Sequence, residues 1–229
     1  MNEKVVETFD EWAGNGRDKG MEEGHGDVVR QVIDKLGIKP GEKILDLGCG
    51  NGWATRLLAK THAGVQSIGV DASPKMIARA EELHSYTIRA RYEHGSFEAL
   101  DFKDGEFDRL FSMEALYYAS DLEKSLAEAF RVLKPGGHAS VIVDFYKESP
   151  ATANWGDAMG LDLHYLGEQD WKAAFEQAGF TGIITERVID TRAPEEEGAL
   201  ETDECTPDRQ AKLDQFKAGS LWIQAEKPA

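Results

Sequence analysis

The chain has 229 residues, enough for one domain with a full hydrophobic core and a small cap. Its 41% hydrophobic and 30% charged residues read as globular, and no apolar run nears the roughly 18 residues that a membrane span needs. A formal net charge of −16 argues against nucleic-acid phosphates and anionic membranes as partners, since both call for clustered Lys and Arg.

The N-terminus, MNEKVVETFDEW, lacks a basic region followed by an apolar one, so it is no secretory signal and a cytoplasmic location is expected. Residues 1–37 read as a helical cap, with apolar positions at Val5, Val6, Phe9 and Trp12 and again from Val28 to Leu36. Between them, AGNGRDKGMEEGHG (13–26) reads as a glycine-rich loop that can close as a lid.

From Lys43, short apolar runs alternate with amphipathic stretches. KILDL (43–47), VQSIGV (65–70), RARYEHG (89–95), FDRLFS (107–112) and HASVIVDF (138–145) read as strands, followed by TGIITERVI (181–189) and SLWIQAEK (220–227). Helices are expected at WATRLLAK (53–60), at SPKMIARAEEL (73–83) with Ser73 as N-cap, at DLEKSLAEAFRVL (121–133) and at GEQDWKAAFEQAGF (167–180). KPGG (134–137) reads as a turn. The alternation implies an α/β fold with a mainly parallel sheet, occupying residues 38–229. Two segments interrupt it as insertions, at about 146–166 and 190–219. The second carries the acidic run PEEEG and a helix-like DRQAKLDQFK. The two cysteines, Cys49 and Cys205, form no disulfide framework, and no His, Cys, Asp or Glu cluster has metal-ligand spacing.

The chemistry is concentrated in KILDLGCGNGWATRLL (43–58). Glycine after a first strand lets the backbone pass close beneath a ligand. The dinucleotide pattern GxGxxG fails here. Gly48 and Gly50 would need a third glycine where Trp53 stands, and Gly50 and Gly52 would need one at Thr55. No GK[ST] follows, which excludes a phosphate loop. Asp46 is a poor neighbour for a pyrophosphate and a good one for a cation. Asp71, ending the next strand, stands where an acid accepts both ribose hydroxyls of a nucleoside. Two acids and a glycine turn point to a nucleoside that carries positive charge.

ILDLGCGNG (44–52) and GVDASPKMI (69–77), followed by GSFEALDFKDGEFD (95–108) and LKPGG (133–137), resemble the class I S-adenosylmethionine-dependent methyltransferases. The likeness is nearest to the small-molecule branch that includes quinone-biosynthesis enzymes. It implies a Rossmann-like seven-stranded mixed sheet with the last strand antiparallel, helices on both faces, S-adenosylmethionine as cofactor and a small-molecule methyl acceptor. It also implies roles for residues. Asp46, Gly48, Cys49 and Gly50 would line the methionine end, and Asp71 the ribose. Ala72 and Met76 would pack on the adenine, Ser96 and Phe97 would sit at its other edge, and Met113 would lie beside the amino-acid part. Ser96 departs from the pattern, since many relatives carry an acid there.

Arg17, in the lid, is a candidate for the cofactor carboxylate. Methyl transfer needs a base only when the nucleophile arrives protonated. Tyr117 and His25 are the catalytic candidates, with Glu114, Tyr118, His164 and Tyr165 also on the expected rim. Two other classes compete: a nicotinamide-dependent oxidoreductase, disfavoured by Trp53 and Asp46, and an adenosyl-cofactor-binding module without turnover.

Overall fold

The computed structural model describes residues 2–192 and 208–229. The PEEEG run and Cys205 lie outside the described residues. Seven strands form one sheet in the order β3-β2-β1-β4-β5-β7-β6. They are β1 (Lys43–Leu47), β2 (Gln66–Asp71), β3 (Ala90–His94), β4 (Phe107–Met113), β5 (Leu133–Val143), β6 (Thr181–Val188) and β7 (Ser220–Glu226). The first five are parallel, and β7 runs antiparallel to both β5 and β6. The expected mixed sheet with an antiparallel last strand is therefore present.

The apolar runs of the central strands are explained by burial on both faces. Leu45, Leu110, Val141 and Ile223 face α5 (Leu122–Val132) and α7 (Glu168–Gln177), through Leu126, Trp171 and Phe175 among others. Their neighbours Ile44, Phe111, Ile142 and Trp222 pack on the other side, against α2 (Gly20–Lys35) and α3 (Trp53–Ala59). Helix α4 (Pro74–Glu82) begins as expected, with Ser73 Oγ accepting the Met76 N–H at 3.0 Å. No helix among the described residues is long and apolar enough to cross a membrane.

Two local expectations differ from the structure. Residues 134–137 are not a free turn but a bulge inside β5: all four oppose the single residue Asp108, and Lys134 Nζ donates to Asp108 Oδ1 at 2.6 Å. Residues 13–26 are not a loop. The helix α1 (Glu3–Asn15) ends at Gly16 with φ +84°, a short 3₁₀ turn spans Arg17–Lys19, and α2 follows directly. Tertiary contacts override the glycine content here. Asp18 is 1% exposed. Its backbone carbonyl and Oδ2 accept from Asn51 Nδ2 at 2.9 and 3.1 Å, and Oδ2 also accepts from Arg79 Nε at 3.3 Å. Asp10 Oδ1 accepts the Ser73 hydroxyl at 2.5 Å. The N-terminal segment is thus fastened to the glycine turn and to the start of α4. Of the two interruptions, 146–166 holds α6 (Trp155–Met159), and α8 (Arg209–Ala218) stands in the excursion between β6 and β7.

Candidate functional site

The carboxyl ends of β1, β2, β4 and β5 open on one cavity of about 450 Å³. It lies where the strand order reverses, between β1 and β4, the place where open α/β sheets leave a crevice.

Its floor is the glycine turn. Gly48, Gly50 and Gly52 have φ of +79°, +52° and +75°, a region that favours glycine. A Cβ on Gly48 would meet that of Ala115 at 2.2 Å, and one on Gly52 would meet the Tyr92 ring at 2.3 Å. The turn is bonded down onto β2. The Gly48 and Cys49 amides donate to the Val70 carbonyl at 2.8 and 3.0 Å, and the Gly50 amide donates to Asp71 Oδ2 at 2.8 Å. The Ser73 amide donates to Asp71 Oδ1 at 2.9 Å. Two amides therefore fix a carboxylate that still lines the cavity. Burial raises the Asp71 pKa, and these amide bonds oppose the shift.

Asp46 lies beneath the turn, 1% exposed, with Oδ2 accepting the Thr55 hydroxyl at 2.5 Å. Its pKa is raised to about 7; burial is the main cause, Thr55 opposes it, and the charge of Asp71 adds to it.

Above the ends of β4 and β5 sits a second acid pair. Glu114 is the one non-glycine residue at positive φ among the described residues, at +51°. One of its carboxyl oxygens accepts the Tyr117 hydroxyl at 2.7 Å, and the other accepts the Asp144 amide. Burial, then the charge of Asp144, pushes Glu114 well above the usual carboxylate range. His25, reaching in from α2, places Nδ1 3.6 Å from Asp144 Oδ2. The remaining wall is largely apolar, with Val5 and Phe9 from α1, Trp155 and Met159 from α6, and Phe216 from α8, and it also carries Asp190, Lys212 and Gln215.

The family model described as "Methyltransferase domain" matches residues 45–141. An uncharacterized methyltransferase of Synechocystis sp. is 37% identical over 163 residues, covering 66% of this chain and 72% of that protein. The chain belongs to the class I S-adenosylmethionine-dependent methyltransferases. A 2-methyl-6-phytyl-1,4-hydroquinone methyltransferase, also of Synechocystis sp., is 39% identical over 100 residues, 44% of this chain and 31% of that one. Sterol 24-C- and phosphoethanolamine N-methyltransferases match as well, and the chain spans about a third of their length. Among solved structures, the methyltransferase in complex with the Haloferax volcanii Trm112 methyltransferase activator is 30% identical, with a TM-score of 0.87. That match covers 96% of this chain and 98% of that chain.

The cofactor of this methyltransferase is S-adenosylmethionine. The residues fit it: the turn has no room for side chains beneath a ligand, and Asp71 offers an oriented acceptor. Gly48, Cys49, Gly50, Asp71 and Ala72 all line the cavity, as do Phe97 and Met113. So do Arg17, whose guanidinium carbon lies 4.3 Å from the Trp12 ring centroid, and the two catalytic candidates His25 and Tyr117. Asp46, Met76 and Ser96 do not line it. Met76 is fully buried, and the Ser96 hydroxyl donates to Glu98. His164 is engaged elsewhere, with its ring nitrogen 2.9 Å from the Ala119 carbonyl. The sequence reading passed over Asp144 and the wall from α6 and α8. Asp144 had a readable signal: like Asp46 and Asp71, it is an acid at the carboxyl end of an apolar strand.

Asp46 gives a pH prediction. Its folded pKa of about 7 exceeds the ordinary 3.8, so between those values the folded state binds more protons than the unfolded one. Stability from this group is full below 3.8 and is lost as pH rises toward about 7. Melting temperatures of the native protein and of Asp46→Asn should therefore diverge over that window, the native protein losing ground as pH rises. A constant difference would contradict the raised pKa.

Proposed function

We propose that this methyltransferase acts on an apolar small molecule rather than a nucleic acid. The carrying observation is the continuity of the cavity, from the glycine turn to the apolar wall of α1, α6 and α8. When bound, S-adenosylmethionine supplies an electrophilic methyl group on a sulfonium. Asp71 holds the ribose hydroxyls, while Gly48, Cys49, Gly50 and Met113 border the methionine part and Ala72 and Phe97 the adenine. Asp46 supports the methionine end from below through Thr55, and Met76 and Ser96 back the adenine side from behind. Arg17 meets the cofactor carboxylate, and His25 and Tyr117 serve the acceptor. Residues 1–37 form a cap that closes the cavity, excluding water as charge disperses in the transition state.

Asp71→Ala removes a charged acceptor worth roughly 1.5–3 kcal/mol per hydrogen bond. Calorimetry with S-adenosylhomocysteine should show a loss of about tenfold to several hundredfold. Near-native affinity would mean that another residue holds the ribose. In parallel, transfer of labelled methyl to a panel of hydroxylated apolar metabolites should give product, and transfer only to RNA would reverse the acceptor class.

A further reading concerns assembly. The match to the methyltransferase solved with Trm112 runs over nearly the whole of both chains, which supports a small activator of that kind as a partner here. Co-expression with the host's Trm112 should give a single complex on size exclusion. Separate elution would refute it.

A further inference from the structure

His25, Asp144, Glu114 and Tyr117 come from three separate stretches of chain and meet at one end of the cavity. The two carboxyl groups are differently placed. Glu114 has both oxygens engaged, by the Tyr117 hydroxyl and the Asp144 amide. Asp144 has Oδ2 at ion-pair distance from His25, while its buried Oδ1 has no hydrogen-bond partner. An acid beside one ring nitrogen of a histidine selects the tautomer and holds the imidazolium that forms when the other nitrogen takes a proton. We propose that His25, positioned by Asp144, is the base that deprotonates an aromatic hydroxyl on the acceptor.

This rests on the methyl-transfer reading of the same cavity and adds the acceptor's chemistry. The acceptor O–H bond breaks, its proton forms an N–H bond at His25 Nε2, and the electron pair stays on oxygen as the nucleophile. The proton leaves to water when the product departs. Asp144 then faces an imidazolium instead of a neutral ring, so its charge is compensated at the moment the oxygen becomes nucleophilic.

The substrate class follows from the imidazole and from the rings and aliphatic groups around it. Burial lowers the His25 pKa, Asp144 and Asp190 raise it, and Lys212 and Arg192 lower it. An imidazole is a poor base for an alkyl alcohol and a better one for a phenol-type hydroxyl, whose ordinary pKa is near 10. The aromatic and aliphatic wall suits a ring carrying that hydroxyl.

The test reads the proton directly, without turnover. The protein loaded with S-adenosylhomocysteine is mixed with 4-nitro-1-naphthol at a pH below that compound's solution pKa, and the naphtholate absorbance is recorded. The native protein should show bound naphtholate. His25→Ala and His25→Gln should abolish it while still binding S-adenosylhomocysteine. Asp144→Asn should cut it by roughly tenfold, the loss of one charge-assisted interaction, and Asp144→Glu should restore part of it. In Asp144→Asn the His25 ring should also titrate at lower pH by NMR. No naphtholate with the native protein, or the same amount with His25→Ala, overturns the proposal. Failure of the native protein to bind S-adenosylhomocysteine would instead strike the cofactor site itself. A native protein that shows no naphtholate yet methylates only amines would replace the aromatic hydroxyl with an ammonium acceptor.

Discussion

The glycine turn at residues 48–52 is the constraint on which the rest of the site depends. Its backbone has positive φ at three positions, and side chains at Gly48 or Gly52 would run into Ala115 or Tyr92. Because the chain passes so low, its amides reach β2 and fix Asp71. One residue further, Asn51 reaches outward to Asp18. A single turn therefore orients the Asp71 carboxylate at the cavity and holds the N-terminal helices above it. The lid residues and the cofactor floor are joined by hydrogen bonds a few residues apart.

The site repeats one arrangement twice. At the end of β1 and β2, Asp46 and Asp71 lie close enough for the charge of one to raise the pKa of the other. At the end of β4 and β5, Glu114 and Asp144 do the same. In each pair burial is the larger cause of the raised pKa, of Asp46 in one and of Glu114 in the other. The left-handed backbone at Glu114 is part of this. It turns the chain directly after β4 so that the carboxyl reaches back to the Asp144 amide.

Much of this was legible in the sequence. The strands could be read because both faces of the sheet are covered, which makes their apolar runs continuous, as at Lys43–Leu47 and Phe107–Met113. Ser73 as N-cap and the helix-like DRQAKLDQFK that forms α8 were readable from local chemistry. The glycine turn was singled out from its motif, and its residues Gly48, Cys49 and Gly50 line the cavity. Residues 13–26 were not legible, because five glycines and five charges look like a loop to any local rule. Their helical form depends on Asp18 meeting Asn51 and Arg79, partners 33 and 61 positions away. The bulge at 134–137 was half legible: its glycines signal a break, but not that pairing with β4 resumes at His138. Asp144 and the α6 and α8 walls depend on how distant segments converge over the sheet, and no spacing along the chain encodes that.

The proposed mechanism requires the N-terminal helices to close over the cofactor from their anchor at the glycine turn. Hydrogen exchange across residues 12–25, with and without S-adenosylhomocysteine, tests this most directly. Bound cofactor should slow exchange there, most strongly from Arg17 to His25, the stretch that carries both cavity-lining side chains and the Asp18 anchor. Equal protection in both states would show a static cap, and His25 and Arg17 would lose their place in the mechanism.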